Sequence, residues 1–209
     1  MTLAEILIDI RNPSAQQAIR NCNDMHRNIM KAFDSCGGAF PRKDLRVQYR
    51  LIQKENRLTA LVMSHKPGNW EAVRGNGYLL LREREMDDVL SSLKNGRMLG
   101  MDIFCVPSKK TAGDGKNSRR CFLCIESERE GWLRRKGEAM GFDVLSYREN
   151  GTFQAIGYKN NMSIRFRYVN VAANIRINDE QRFREAYSGG IGAEKAYGMG
   201  MMLLSGKTI

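Results

Sequence analysis

The sequence has no long hydrophobic run and no export signal. None of its apolar stretches approaches the roughly 18 residues that a membrane-spanning helix needs. No positive region precedes the first apolar stretch, which Glu5 and Asp9 interrupt, so we expect no secretory signal. The five cysteines are an odd number, typical of reduced thiols rather than a disulfide framework. We therefore expect a cytoplasmic protein that makes no contact with a membrane.

Metal-binding and nucleotide-binding motifs are also missing. Cys121 and Cys124 form a CxxC pair, but no second pair of ligands follows at the spacing of a zinc site. The glycine-rich C-terminal segment lacks the Gly-Lys-Ser/Thr of a Walker A loop, and Lys195 stands where a dinucleotide fingerprint needs its third glycine. The acidic pairs at 87–88 and 179–180 are explained as helix starts. We expect neither a metal nor a small-molecule cofactor.

What the chain does have is an excess of positive charge. Its 209 residues include 34 Lys and Arg against 23 Asp and Glu, a formal net charge of +11. The hydrophobic fraction of 42% is enough for a core, so we expect a globular protein. Clustered cations raise the affinity for polyanions because binding releases counterions from phosphates. Nucleic acid is therefore the favoured class of partner.

The periodicity of the apolar residues predicts an α+β protein made of two halves. Strand-like alternation and helix-like spacing follow one another in each half, an order typical of α+β domains. At roughly 100 residues for a small domain, the length allows two. We predict an N-terminal domain over residues 1–95 and a C-terminal domain over residues 96–209.

Some local predictions are specific enough to be compared with a structure. The helix that begins near Asn23 should extend to Cys36, with the glycines at 37–38 as its stop. The segment 107–118 is rich in Gly, Ser and Lys, which predicts an exposed loop or hairpin tip. Ser127 is the expected N-cap of the helix that follows. Separate strands are expected at 142–147, 153–158 and 199–204.

The chain has two histidines, and their surroundings distinguish them. His65 ends a strand and is expected to be a surface turn residue. His26 lies at the edge of the apolar stripe of its helix, where the simplest interpretation is an ordinary half-exposed boundary residue. Arg27 and Lys31, four residues apart, form a like-charge pair that destabilises a helix unless an anion bridges it. A phosphate near the helix N-terminus would do so.

A histidine with Arg and Lys around a phosphate is sufficient for RNA cleavage without a metal. An imidazole that titrates near pH 6.5 can accept the proton of a ribose 2′-hydroxyl or donate one to the leaving 5′-oxygen. A cation beside the phosphate stabilises the charge that develops in the transition state. Because no carboxylate cluster suits two metal ions, metal-independent cleavage is the preferred hypothesis.

Basic residues cluster in two segments of the second half. The first cluster, on the predicted loop and the start of the next strand, comprises Lys109, Lys110, Lys116, Arg119 and Arg120. In the second cluster, Arg165 and Arg167 alternate with apolar residues, so both point from one face of a strand. Solvated surface is one interpretation. The other is duplex RNA, which proteins recognise mainly through phosphates and shape.

The segment 189–200 has a G-x-G-x5-G-x-G pattern just ahead of the last strand. One interpretation is a flexible turn. The other is a tight loop in which the backbone closely approaches another backbone or a phosphate.

Three segments resemble the CasE family, the CRISPR RNA-processing endoribonucleases of type I-E Cascade complexes. They are residues 3–12, the Asp-Met-His-Arg at 24–27 and the glycine-rich segment 190–200. The resemblance implies two tandem ferredoxin-like domains with a junction near residue 96. It also implies cleavage of precursor CRISPR RNA at the base of each repeat stem-loop. In that reaction the 2′-hydroxyl attacks and leaves a 2′,3′-cyclic phosphate and a 5′-hydroxyl.

The resemblance also implies roles for single residues. His26 matches the family's catalytic histidine, and Lys31 matches a basic residue that assists at the scissile phosphate. Several members have a tyrosine three residues before the histidine, whereas this chain has Asn23, which can orient RNA but cannot titrate. Contact with the RNA stem is implied for the basic hairpin and for Gly190, Gly192, Lys195, Gly198 and Gly200. The implied partners are the CRISPR repeat stem-loop RNA and the other Cascade subunits.

Two alternatives remain open at this point. Because Asn23 replaces a titratable residue, the chain could be an RNA-binding assembly protein that keeps the fold and does not cleave. A basic ribosome-associated binding module is a third, more distant possibility.

Overall fold

The computed structural model describes residues 1–34, 41–111 and 119–207 of the chain. Within these ranges the strands are β1 Thr2–Ile8, β2 Gln48–Lys54, β3 Arg57–Ser64, β4 Tyr78–Glu85, β5 Met98–Cys105, β6 Ser108–Thr111, β7 Arg119–Phe122, β8 Phe142–Lys159, β9 Met162–Ile177 and β10 Met202–Ser205. The helices are α1 Pro13–Arg20, α2 Cys22–Lys31, α3 Pro41–Asp44, α4 Glu71–Arg74, α5 Asp87–Ser92, α6 Glu126–Met140 and α7 Glu180–Gly189. A 3-10 turn at Lys195–Tyr197 precedes β10.

The first sheet is antiparallel, with the strand order β2-β3-β1-β4. Successive side chains of a strand point to opposite faces, so β1 buries Ala4, Ile6 and Ile8 on one face. Helices α1 and α2 cover that face, and Met25 and Ile29 of α2 are buried in the same hydrophobic cluster. The apolar stripe of α2 therefore fixes which of its residues turn away from the sheet.

The second sheet repeats this arrangement, with the strand order β10-β5-β9-β8. Its core lies between the sheet and helices α6 and α7, where Ile103, Val171, Leu133 and Phe183 are buried together. In each sheet the first and third strands of the unit are central and the other two are at the edges. A helix follows the first strand and another follows the third, the ferredoxin-like order. The prediction of two tandem ferredoxin-like domains is confirmed.

The edge strand β2 joins the first unit to the second. The side-chain nitrogen Nε2 of Gln48 donates hydrogen bonds to the carbonyl oxygens of Tyr187, at 3.0 Å, and Ser188, at 2.8 Å. Arg50 of the same strand forms a 2.5 Å ion pair with Asp102 of β5. These contacts attach the edge of the first sheet to α7 and β5 of the second unit. The predicted junction near residue 96 stays a prediction.

Helix α2 is shorter than predicted. It spans Cys22–Lys31, and Ala32 is its C-cap. The backbone N–H of Asn69 donates a 2.7 Å hydrogen bond to the carbonyl of Ala32, so a tertiary contact occupies that acceptor where the helix ends. The predicted glycine stop at 37–38 lies outside the described residues.

The two separate strands predicted at 142–147 and 153–158 are wrong. Both segments belong to one long strand, β8, of 18 residues. Two bulges, one near residue 145 and one near residue 150, absorb the breaks in the alternation. Ser127 is not the N-cap of α6, which begins at Glu126 without a side-chain cap. The last strand begins at Met202 rather than at residue 199, because Gly198 and Gly200 have positive φ angles that an extended strand does not allow.

The segment 107–118, predicted as an exposed loop or hairpin tip, is a strand over Ser108–Thr111, and residues 112–118 lie outside the described residues. Strands β6 and β7 pair antiparallel, with Lys109 opposite Cys121 and Lys110 opposite Arg120. Lys116 lies outside the described residues, and only the backbone of Arg119 is described.

Candidate functional site

His26 lies on α2 where the two domains meet. The side chain of Asn21 caps the helix by accepting a 3.1 Å hydrogen bond from the backbone N–H of Asn23. Burial of Met25 fixes the rotation of the helix, which leaves His26 half-buried at the edge of the apolar stripe, as predicted. His65 is exposed, also as predicted.

The surroundings of His26 keep its imidazole neutral. Its pKa falls from the ordinary 6.5 to about 4, chiefly because of burial and further because Arg42 and Lys159 are positively charged. At neutral pH the ring can therefore accept a proton. Arg42 lies on α3 of the first domain and Lys159 at the end of β8 of the second, so both domains supply cations. Sequence reasoning missed both residues.

Tyr197 is the aromatic neighbour of His26. Its ring meets the imidazole edge-on, with the ring centres 6.2 Å apart. On its other side Tyr197 stacks against Phe166 of β9 at 5.8 Å. Burial raises the pKa of the Tyr197 hydroxyl, which therefore stays protonated. The sequence analysis did not select Tyr197, and its place inside the glycine-rich segment was the one signal that could have done so.

Lys195 also comes from the glycine-rich segment, and it lies among like charges. Its Nζ donates a 2.8 Å hydrogen bond to the carbonyl oxygen of Gly189. Burial lowers the pKa of Lys195, and the positive charges of Arg42, Lys136 and Arg46 lower it further. An anion bound here would relieve the repulsion between these cations.

The other residues predicted on α2 have different surroundings. The side chain of Asn23 is buried, and its Nδ2 donates a 3.2 Å hydrogen bond to the carbonyl of Tyr158, which attaches α2 to β8. Arg27 is exposed and lies 3.9 Å from Asp24, a counter-charge that the sequence argument for a bridging anion left out. Lys31 is exposed on the last turn of the helix. The RNA contacts predicted for Asn23, Arg27 and Lys31 stay predictions.

The structure brings three of the predicted arginines together. Arg120 of β7 and Arg165 and Arg167 of β9 line one cleft of about 410 Å³. Phe122 and Phe166 form its apolar part, and Glu194 of the glycine-rich segment lies beside it. We call it the arginine cleft. Three cations around apolar side chains suit a phosphate backbone with bases or riboses between the phosphates.

The two lysines of the hairpin differ from each other. The Nζ of Lys109 lies 3.4 Å from a carboxylate oxygen of Glu128, a partner on α6 that the sequence argument did not identify. Lys110 lines a smaller cleft of about 150 Å³ together with Arg120, Lys136 and Gly192. The second cleft therefore continues the positive surface from the hairpin toward the glycine-rich segment.

Many cations of this surface have no carboxylate partner. Within the described part of the chain, no ion pair is formed by Arg42, Lys110, Arg120, Lys136, Lys159, Arg165, Arg167 or Lys195. Some arginines elsewhere are paired, such as Arg129 with Glu149 at 2.7 Å and Arg176 with Asp143 at 3.0 Å, while others among the described residues, such as Arg57 and Arg148, are not. A polyanion would compensate the unpaired charges that meet around His26 and the two clefts.

The glycines of the closing segment make close contacts with the protein. Gly190, Gly192, Gly198 and Gly200 all have positive φ angles. A Cβ atom on Gly200 would lie 2.5 Å from the carbonyl oxygen of Ile191. A Cβ on Gly198 would lie 2.9 Å from the ring of Tyr49. The interpretation as a tight loop is right, while the RNA contact predicted for these glycines stays a prediction.

Neither a metal-binding cluster nor a membrane-spanning helix occurs among the described residues. These residues contain no group of three or more His, Cys, Asp and Glu side chains arranged to hold a metal ion. None of the helices in the described ranges is both long enough and apolar enough to span a bilayer.

Comparison with known proteins gives consistent results. A family model described as CRISPR associated protein matches residues 1–205. The CRISPR endoribonuclease Cse3 bound to a 19-nucleotide RNA has a TM-score of 0.85 and 20% identity, covering 98% of this chain and 100% of that one. Cas6e from Escherichia coli str. K-12 has a TM-score of 0.74 and 16% identity, covering 98% of this chain and 99% of that one. A chain of a CRISPR RNA-guided surveillance complex in a pre-nicking state has a TM-score of 0.75 and 26% identity, covering 98% of this chain and 99% of that one. Comparison with curated proteins gives no match.

The family match extends over nearly the whole chain, and the structural matches cover both of its domains. The resemblance of its two ends to CasE proteins is therefore confirmed. The chain belongs to the CRISPR-associated protein family.

Proposed function

We propose that this protein is an endoribonuclease that cleaves precursor CRISPR RNA at the base of each repeat stem-loop without a metal ion. The observation that carries the proposal is His26, a neutral imidazole among cations that come from both domains. The relatives support it, because Cse3 is named a CRISPR endoribonuclease and its structure contains RNA.

In the proposed reaction His26 accepts the proton of the 2′-hydroxyl on the nucleotide 5′ of the cut. The freed 2′-oxygen attacks the adjacent phosphorus while the bond from phosphorus to the 5′-oxygen breaks. The products are a 2′,3′-cyclic phosphate and a 5′-hydroxyl, whose proton comes from the imidazolium or from water. The depressed pKa favours His26 as the base, because the ring is unprotonated before RNA binds.

The surrounding cations have two proposed tasks. Lys31, together with Arg42 and Lys159, stabilises the negative charge that develops on the scissile phosphate. The arginine cleft and Lys110 bind the phosphates of the stem, because these cations converge on one surface and form no ion pair within the described residues. Chemistry and stem binding would then lie on neighbouring parts of one positive surface.

We further propose that the mature RNA stays bound and that the protein is a Cascade subunit. A relative with 26% identity is part of a CRISPR RNA-guided surveillance complex, which supports this partner. The unpaired cations of the basic surface favour slow release of a polyanionic product, since each phosphate that stays bound adds to the affinity.

The test compares cleavage of a repeat stem-loop RNA in EDTA by the wild type, His26→Ala and His65→Ala. Removal of a general base costs roughly 10²- to 10⁴-fold in rate, so His26→Ala should cleave that much more slowly while its Kd for RNA stays within a few-fold. His65→Ala is the matched control, because His65 is the chain's other histidine and is an exposed turn residue. No cleavage by the wild type, or equal rates for His26→Ala and His65→Ala, contradicts the proposal.

A second candidate function is a non-cleaving RNA-binding assembly protein. The observation that favours it is Asn23, which occupies the position one turn before His26 and uses its amide to bind the backbone of β8. No titratable group is therefore supplied from that position. This protein would bind the stem-loop RNA as tightly and return it uncut in the same assay.

A further inference from the structure

A cavity of about 290 Å³ lies between the two domains, beside the candidate catalytic histidine. One wall comes from α2, where Cys22 lines the cavity one helical turn before His26. The opposite wall comes from the second domain, with Tyr168 of β9 and Tyr197 of the 3-10 turn. The ring of Tyr197 lines the cavity and lies 6.2 Å from the imidazole, so a ligand here would contact the ring that lies next to His26.

Three tyrosines line this cavity, and none has its hydroxyl satisfied by the protein. Within the described residues, the hydroxyls of Tyr49, Tyr168 and Tyr197 form no hydrogen bond. Burial raises the pKa of all three, so they stay protonated and can donate. None of the three is among the fully buried atoms that lack a partner in the described part of the chain, so these hydroxyls are open to the cavity. Polar groups of a ligand can accept hydrogen bonds from them.

The aromatic walls are held in fixed orientations. Tyr168 stacks against Phe153 with 5.4 Å between ring centres, and Phe104 packs edge-on against it at 5.5 Å. Tyr197 stacks against Phe166 in the same way. Rings that are already held by their neighbours lose little side-chain entropy when a flat ligand stacks on them. These walls therefore suit a planar aromatic group such as a nucleobase.

Two exposed polar residues lie at the rim of the cavity. Arg20 forms no ion pair within the described residues, and the amide of Gln154 forms no hydrogen bond there. An amide can pair with the edge of a base, and a cation can pair with its phosphate. Gln154 also lines the arginine cleft, so the cavity and the cleft are adjacent. A single strand of RNA that leaves the cleft can therefore continue directly into the cavity.

We propose that this cavity binds one unpaired nucleobase of the RNA, that of a nucleotide next to the scissile phosphate. The proposal rests on the proposed function, since it gives the same substrate a second point of contact. A base stacked on Tyr168 would fix the position of the neighbouring phosphate against His26. The base site would therefore determine which phosphate is cut, while the stem contacts determine which RNA is bound.

The test uses a repeat stem-loop RNA with a 2′-deoxy sugar at the nucleotide 5′ of the cut, so that binding is measured without cleavage. 2-Aminopurine, whose fluorescence is quenched by stacking, replaces each unpaired flanking base in turn. At one position, the 2-aminopurine fluorescence should be quenched when the wild type or Tyr168→Phe binds, but not when Tyr168→Ala binds. Tyr158→Ala is the matched control, because Tyr158 lies on the same sheet, is exposed and does not line the cavity. Its RNA should be quenched like that of the wild type.

Binding constants complete the test. Tyr168→Ala should raise the Kd by about 5- to 100-fold for the intact RNA, the range expected for one stacked base. It should have no effect on an RNA that is abasic at the quenched position. If circular dichroism shows that Tyr168→Ala is unfolded, Gln154→Ala at the exposed rim replaces it in the comparison of intact and abasic RNA. Its Kd should rise by less, as expected when one hydrogen bond is removed.

The outcomes separate the two proposals. If wild type cleaves with dependence on His26 but quenches no flanking position, or if the abasic RNA shows the same penalty as the intact RNA, the base site is wrong and the proposed function stands. If the wild type does not bind the stem-loop, both are wrong. Equal quenching by Tyr168→Ala and wild type also overturns the base site, and leaves the cavity to a side chain of a partner protein.

Discussion

His26 owes its neutral state to its position between the domains. An exposed histidine titrates near pH 6.5, but burial and the charges of Arg42 and Lys159 disfavour the protonated form. An RNA phosphate at this place would offset those charges, so the pKa of His26 should rise when RNA binds. The residue could then take up a proton during the reaction at neutral pH.

We expect an NMR titration to place the imidazole of His26 near pH 4 in the free protein. The chain has only two histidines, so His65→Ala assigns the signals. A midpoint for His26 at or above 6.5 would contradict this.

The same shift has a consequence for stability. Because folding lowers the pKa of His26, the unfolded chain takes up a proton first as the pH falls below 6.5. The contribution of His26 to folding stability is therefore complete above pH 6.5 and is lost as the pH falls toward 4. His26→Gln should lose less stability than the wild type between these two pH values in denaturant titrations.

Single residues could be predicted from the sequence where one element determines their position. The helical spacing of α2 was enough to place His26 at the edge of its stripe, and the alternation of β9 was enough to expose Arg165 and Arg167 together. Arg42 and Tyr197 could not be found in this way. Each lies near His26 only because of tertiary packing, and the local periodicity of the sequence carries no information about such contacts.

Among the elements, the glycine-rich segment has the largest structural role around the site. Its glycines let the chain turn tightly against β2 and β5, which places Lys195 and Tyr197 at the domain junction. The N–H of Gly200 donates a 2.7 Å hydrogen bond to the carbonyl of Phe104, and its own carbonyl accepts one from Ile191 at 2.9 Å.

We expect Gly200→Ala to lower the free energy of unfolding by about 1–3 kcal/mol, because the residue has a φ of +86° and the added Cβ meets the carbonyl of Ile191. Gly189→Ala is the matched control. Gly189 lies at the end of α7, and a Cβ there meets nothing within 4 Å, so alanine should be neutral or stabilising by less than about 1 kcal/mol. Equal unfolding midpoints for the two variants in urea would show that this account of the loop is wrong.

Most elements could be predicted from apolar periodicity, and the errors have physical causes. The bulges of β8 interrupt the alternation of apolar and polar residues but do not end the strand. A prediction from alternation therefore gives two strands where the structure has one. The end of α2 coincides with a hydrogen bond from Asn69, which is distant in sequence. The pairing of β6 with β7 involves only four residue pairs, too few to give a periodic signal.

At the scale of the whole molecule, cations from both domains meet around His26 and the clefts. Within the described residues these cations form no ion pairs, whereas some on other surfaces do. An external polyanion bound here would balance their charge.

The salt dependence of RNA binding should report on this surface. Arg165→Ala combined with Arg167→Ala should reduce the slope of log K against log salt concentration by about 0.9 for each phosphate that the two arginines neutralise in the wild type. Arg176→Ala is the matched control, because it lies on the same strand and is paired with Asp143. A slope that changes equally in the double variant and in the control would remove the arginine cleft from the RNA-binding surface.

The central claim is that His26 directs a 2′-hydroxyl onto the adjacent phosphate without a metal. The most direct measurement is mass spectrometry of the fragments formed from a repeat stem-loop RNA in EDTA. We predict one cut at the base of the stem, with a 2′,3′-cyclic phosphate on the upstream fragment and a 5′-hydroxyl on the downstream one. A 3′-hydroxyl with a 5′-phosphate, or cleavage only after a divalent metal is added, would contradict the account.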